Sequence, residues 1–135
     1  MSEPSLNVEL PEAGPNILDT HFEGGRWYVA HTRSRNEKML ARELNCLHIV
    51  NYLPLAQRVT RSPTSKRLFL SLVPVFPGYV FFYATEEQRY AALRTNRIAN
   101  ILQVPNQEQL RAELSHIQFL LTQTDAFEVS QRLKA

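Results

Sequence analysis

Hydrophobic and polar positions alternate with period two from Arg26 to Thr32, where Trp27, Val29 and His31 fall on one side and Tyr28, Ala30 and Thr32 on the other. Successive strand side chains point to opposite faces, so this stretch predicts a first strand. Leu40, Leu44 and Leu47 then recur at helical spacing and predict a helix ending at about Leu47. Ser34-Arg35-Asn36-Glu37 reads as its capping box, with the serine oxygen accepting the Glu37 amide and the glutamate reaching back to Ser34. Asn51 to Thr60 predicts a second strand, interrupted early by Pro54, and Arg67 to Val73 alternates Leu68, Leu70 and Leu72 with Arg67, Phe69 and Ser71. The turn-rich Arg61-Ser62-Pro63-Thr64-Ser65-Lys66 between them makes the pair a hairpin with a basic tip of Arg58, Arg61, Lys66 and Arg67.

The densest apolar run is Val73-Pro74-Val75-Phe76-Pro77-Gly78-Tyr79-Val80-Phe81-Phe82-Tyr83. Neither proline can donate to a strand ladder and Gly78 tolerates backbone angles closed to other residues, so a tight turn feeds a strand over Tyr79 to Tyr83. Tyr79, Phe81 and Tyr83 share one face of it, Val80 and Phe82 the other. Two readings follow: a central core strand covered on both faces, or a strand whose aromatic face is partly open as a pocket or stacking platform. Thr85-Glu86-Glu87-Gln88 is a second capping box, opening a helix to about Thr95 with Tyr90 and Leu93 turned inward. Ile98 to Val104 predicts a last strand, and Asn106 caps a helix from Gln107 to about Thr122 whose stripe is Leu110, Leu114, Ile117 and Leu121. With right-handed crossovers, this order predicts a ferredoxin-like α+β sandwich, an antiparallel sheet with helices packed on it, plus one terminal helix and an extended basic hairpin.

At 135 residues the chain supports one domain, and 44% hydrophobic with 21% charged residues is ordinary for a globular protein. No window approaches the length of a membrane span and the N-terminus lacks a secretion pattern, so no membrane partner and a cytoplasmic location are expected. The single cysteine, Cys46, falls in a helical pattern and is expected as a small core residue. Residues 1–25 carry three prolines, two adjacent glycines and five acids without a lysine or arginine, and read as a disordered or loosely attached tail that screens a basic body. Residues 26–83 hold nine basic side chains against Glu37 and Glu43, an excess of seven that suggests a polyanion nearby. Arg35, Lys38 and Arg42, at i, i+3 and i+7, are expected to form a basic stripe on the first helix. There is no Gly-rich phosphate loop, no His/Cys cluster at metal-ligand spacing and no nucleophile elbow, and the four histidines sit in different elements. An enzyme is therefore not expected, and no cofactor or metal is implied.

Taken together, Arg26-Trp27-Tyr28-Val29-Ala30-His31-Thr32, the charged helix behind Ser34, Tyr52-Leu53-Pro54 and Val75-Phe76-Pro77-Gly78-Tyr79-Val80-Phe81 resemble the N-terminal domain of NusG-type transcription elongation and antitermination factors over about residues 26–122. The ungapped spacing from Trp27 to Pro54 looks closer to the specialised RfaH-like paralogues. The resemblance implies a monomer whose hydrophobic depression binds the clamp helices of the largest RNA polymerase subunit and suppresses pausing or termination. Carried over by position, Val29, His31, Phe76 and Phe81 would line that depression. Arg33, Arg35, Lys38 and Arg42 would approach upstream or non-template DNA by phosphate contact. The His-Thr-Thr run with which RfaH-like proteins touch the other side of the cleft is replaced here by about Arg89-Tyr90-Ala91. The family's C-terminal KOW barrel does not fit in the 13 residues after Thr122, so residues 123–135 are expected to be the start of a linker. Two other readings compete: a single-stranded RNA-binding module of RRM type, since Gly78-Tyr79-Val80-Phe81-Phe82-Tyr83 loosely resembles a base-stacking strand, and an interaction subunit without a nucleic-acid role.

Overall fold

The computed structural model describes residues 16–123. A four-stranded antiparallel sheet forms from β1 (Arg26–Thr32), β2 (Val50–Tyr52), β5 (Tyr79–Ala84) and β6 (Ile98–Leu102), in the order β2-β5-β1-β6. Helices α1 (Glu37–Cys46), α2 (Glu86–Leu93) and α3 (Gln107–Gln123) complete the α+β sandwich that the pattern predicts. Each of the two long strands expected from the sequence breaks at proline. β2 stops before Pro54 and resumes as β3 (Leu55–Arg61), while β4 (Leu68–Pro74) ends at the Pro74–Pro77 segment before β5. β3 and β4 pair from Leu55↔Pro74 to Arg61↔Leu68 as a separate two-stranded sheet, so the hairpin leaves the body where the ladder donors are missing.

The register of the central pair assigns every side chain to a face. β1 pairs with β5 through Trp27↔Tyr83, Val29↔Phe81 and His31↔Tyr79 on one face and Tyr28↔Phe82 and Ala30↔Val80 on the other. Tyr28, Ala30, Val80, Phe82 and Ala84 meet Leu40 and Leu44 of α1, Ile49, Ala92 of α2 and Ile98 in one buried cluster. The opposite face carries Trp27, Phe81 and Tyr83, closed over by Leu18 and by Leu114 of α3. Each fully buried large apolar side chain contributes about 1.5–3 kcal/mol, so both layers are needed to hold a sheet this small.

Several local expectations change. The helix after β1 opens at Asn36 rather than Ser34, and Asn36 makes no side-chain capping bond. Arg35 stands at φ +60°, which turns the chain just before the helix and moves its start past the expected box. Glu37 does not reach back; its Oε2 accepts the Gly78 N–H at 2.6 Å. The Arg35–Lys38–Arg42 stripe therefore loses Arg35 to the loop, leaving Lys38 and Arg42 one turn apart on α1. Leu47 follows the last helical residue and is exposed, and Cys46 is exposed rather than part of the core. On α2, Ala92 is buried and Leu93 packs on the core, but Tyr90 points out beneath the Arg89 guanidinium, 4.5 Å from its ring centre. Residues 16–25 fall in the stretch expected to be a loose tail, yet Leu18 is fully buried and Phe22 meets Tyr83 edge-on at 4.9 Å. A Cβ on Gly25 would stand 2.5 Å from the Tyr83 ring, so only glycine lets the chain pass there. Residues 1–15 and 124–135, on which the rest of the tail and the linker expectation fall, lie outside the described residues.

The box at Thr85 is present as expected: Thr85 Oγ1 accepts the Gln88 N–H at 3.2 Å and Gln88 Oε1 accepts the Thr85 N–H at 2.9 Å. Thr85→Ala removes one of the two bonds and is expected to cost about 1 kcal/mol. That corresponds to a fall in Tm of about 5 °C for a domain of this size, measured by thermal denaturation. Tyr52 sits in the second apolar layer, and burial pushes its pKa from 10.0 up to about 12. Because the folded state holds that proton more tightly, the contribution is complete below the unfolded value and is lost as pH rises through the folded one. Stability in chemical denaturation should therefore decline between pH 10.0 and about 12, and Tyr52→Phe should flatten that decline.

Candidate binding surface

The turn entering β5 sets the geometry of the site. Pro77 and Gly78 occupy the two central positions, the Tyr79 N–H donates to Phe76 O at 3.1 Å, and Gly78 has φ +91°. This is the arrangement of a type II turn, in which proline presets the first central residue and glycine alone takes the positive φ of the second. Neighbouring elements hold the turn from two directions. The Thr32 N–H donates to Gly78 O at 2.8 Å, and the Gly78 N–H is the donor to Glu37 of α1. With the turn fixed, the Phe76 ring stands edge-on to Phe81 at 6.1 Å, and His31 stacks on Tyr79 at 5.1 Å with the planes 23° apart.

Coverage of this face is uneven. At one end α3 and the 3-10 turn Ile17–Asp19 close it, and Gln107 in the first turn of α3 clamps the β1 backbone. Its Nε2 donates to Trp27 O at 3.0 Å while its Oε1 accepts the Trp27 N–H. Pairing of β6 with β1 begins only at Val29↔Leu102, so those two Trp27 groups would otherwise lack a partner. Asn16 Nδ2 donates to Gln118 Oε1 at 2.8 Å, and Asp19 pairs with Arg111 at 3.6 Å, fastening the 3-10 turn to α3. At the other end Val29 and Phe76 are half-buried, Tyr79 is half-buried, and His31 is exposed. Leu102, opposite Val29 on β6, is 39% exposed.

Of the four residues read as a hydrophobic depression, Val29, His31 and Phe76 thus reach the surface at one end of one sheet face. Phe81 lies beneath them at 8% exposure and forms the floor on which Val29 and Phe76 pack. Tyr79 and Leu102 belong to the same patch and were not singled out from the sequence. The alternation rule places Tyr79 on this face, whereas Leu102 needs the β1–β6 register.

The four residues read as nucleic-acid contacts gather around the β1–α1 junction. Arg33 and Arg35 are exposed in the connecting loop, close in sequence to His31, and Lys38 and Arg42 are exposed on α1. Arg33 Nε donates to Asn96 O at 2.8 Å and its backbone N–H to Arg97 O at 2.9 Å, so the loop is held against the α2–β6 connection. Lys38 Nζ donates to Leu72 O of β4, tying α1 to the base of the hairpin. Arg97 fixes the other side, reaching Glu43 at 2.6 Å and Asn36 Oδ1 at 2.7 Å. An open pocket of about 340 Å³ between α1 and α2, lined by Glu43, Cys46, Leu47, Ala91, Arg94 and Thr95, lies on the opposite side of the sheet. Among the described residues no group of three or more His, Cys, Asp or Glu is placed to hold a metal ion, and no helix is long and apolar enough to cross a membrane.

No curated protein matches the chain in a sequence search. Residues 25–119 match the family model described as transcription termination factor NusG, a span that takes in the whole sheet, α1, α2, the hairpin and most of α3. The matched span covers the turn at Gly78, the β1–β5 register and the α3 clamp together, and the chain belongs to the NusG family of transcription factors.

Proposed function

We propose that the open end of the second sheet face binds the clamp helices of the largest RNA polymerase subunit, and that the chain acts in elongation as an antitermination factor of the RfaH-like kind. Membership of the NusG family gives the coarser role, a factor acting on transcription elongation or termination. The observation that carries the finer reading is the patch of Val29, His31, Phe76 and Tyr79, held by the Gly78 turn at the one end of the face that α3 leaves uncovered. An amphipathic helix can set apolar side chains against such a patch, and each one fully buried contributes about 1.5–3 kcal/mol. Arg33, Arg35, Lys38 and Arg42 lie to one side of it, where a duplex beside a docked polymerase would meet their charges. The RfaH-like assignment rests on the spacing from Trp27 to Pro54. At the place of that group's His-Thr-Thr run, Arg89 covers the Tyr90 ring, and no contact to the far side of the cleft is assigned to it.

An RNA-stacking platform is the weaker reading. Base stacking needs rings lying flat on an open face, whereas Phe81 and Tyr83 are buried and Trp27 and Phe22 stand edge-on to Tyr83.

The patch is tested with surface residues, because Phe81→Asp would bury a charge and unfold the domain. His31→Ala combined with Phe76→Ala should weaken binding to purified RNA polymerase by about tenfold or more, as expected for a loss of at least 1.4 kcal/mol. Circular dichroism should show the fold retained; unchanged affinity would place the contact elsewhere. Lys38→Ala with Arg42→Ala should reduce suppression of pausing more than polymerase affinity in a single-round transcription assay. Equal losses in both would count against a DNA role for these two cations.

A further inference from the structure

The β3–β4 hairpin exposes more apolar surface than a strand pair normally leaves in water. Its register sets Gln57, Val59 and Arg61 across from Leu72, Leu70 and Leu68 on one face, with Val59 59%, Leu68 57%, Leu70 68% and Leu72 49% exposed. Arg58, Arg61, Lys66 and Arg67 surround this stripe, and residues 55–74 contain no acid. An apolar stripe framed by uncompensated cations calls for an occupant that is apolar on one side and acidic on the other. A second copy of the same hairpin fits poorly, since it would bring four cations against four.

The chain itself carries a segment of that chemistry. Leu6-Asn7-Val8-Glu9-Leu10 alternates apolar and polar residues, and residues 1–15 hold Glu3, Glu9 and Glu12 without a lysine or arginine. Three apolar side chains on a period of two match three leucines on a period of two, because both repeats follow the strand pleat. Chain length permits the contact. Asn16 is anchored to Gln118 of α3, and the 3-10 turn that follows it lies against β2, which leads into the hairpin through Leu53 and Pro54. The six steps from Leu10 to Asn16 span at most about 20 Å when extended, comparable to the roughly 23 Å length of a seven-residue strand.

We propose that residues 6–10 of this chain dock in extended form on the Val59/Leu68/Leu70/Leu72 face of the hairpin, with Glu3, Glu9 and Glu12 against the cations at its tip. The docked segment covers the apolar stripe and screens the hairpin's charge, so a polyanion approaching the tip must displace it. This contact is independent of the polymerase-binding patch, since it uses none of Val29, His31, Phe76 or Tyr79.

The test uses the full chain with Cys46→Ser, which removes the exposed native thiol, and Ser5→Cys carrying a nitroxide label. Selective signal loss is expected at the amides of Val59, Leu68, Leu70 and Leu72. It should fade when Leu6, Val8 and Leu10 are all changed to serine, and also as added salt shortens the screening length. Signal loss centred on Val29, His31 and Tyr79, or none at the hairpin, would overturn the proposal. Isotope-labelled chain without nitroxide, mixed with labelled-tail chain lacking the isotope, should show no loss; loss in that mixture would mean a contact between two copies and would also overturn it.

Discussion

The antiparallel pairing of β1 with β5 is the constraint on which the rest depends. It commits Trp27, Val29, His31, Tyr79, Phe81 and Tyr83 to one face and Tyr28, Ala30, Val80 and Phe82 to the other. A slip of one residue would exchange the two sets, placing Trp27 and His31 against α1 and α2 and sending Tyr28 to α3. Both ends of the pair are therefore held by groups outside it. Gln107 takes the Trp27 backbone at the α3 end, and at the other end the Gly78 turn is gripped by Thr32 and by Glu37. Two of these three grips come from helices, so helix packing and strand register stabilise one another.

Unequal coverage of the two faces connects this arrangement to function. Helices α1 and α2 bury one face, while α3 with the 3-10 turn closes only the Trp27–Tyr83 end of the other. The remaining end keeps apolar and aromatic side chains in solvent contact on a rigid floor, Phe81, whose position the register sets. A binding patch built on strands and a fixed turn is already organised before a partner arrives, and less ordering entropy opposes association. The cations of the β1–α1 junction are fixed in the same way, since Arg33 and Lys38 both reach backbone carbonyls of neighbouring elements.

Much of this was legible in the residue pattern because period and punctuation carry it. The alternation from Trp27 to Thr32, the Thr85–Gln88 box, the Asn106 cap and the Pro77–Gly78 turn are local signals, and each appears where the chain predicts it. What the pattern missed was decided by distant partners. Glu37 has the spacing of a capping glutamate but bonds the Gly78 amide 41 positions away, and Gln107 reaches the β1 backbone 80 positions back. Leu18 and Phe22 gave no periodic signal, and only the closed sheet face shows why they are buried or packed. Aromatic content alone left open whether the second face was core or platform. It is both, sealed at Tyr83 and open at Tyr79, because α3 covers one end of the sheet.

The account's central claim concerns which surface meets the polymerase, and mapping it by NMR on the intact chain is the most direct measurement. Titration with the isolated clamp-helix hairpin of the largest RNA polymerase subunit should shift the amides of Val29, His31, Phe76 to Tyr79 and Leu102, leaving the α1–α2 side unmoved. Shifts confined to Cys46, Leu47, Ala91 and Arg94, around the pocket on the opposite side of the sheet, would contradict it.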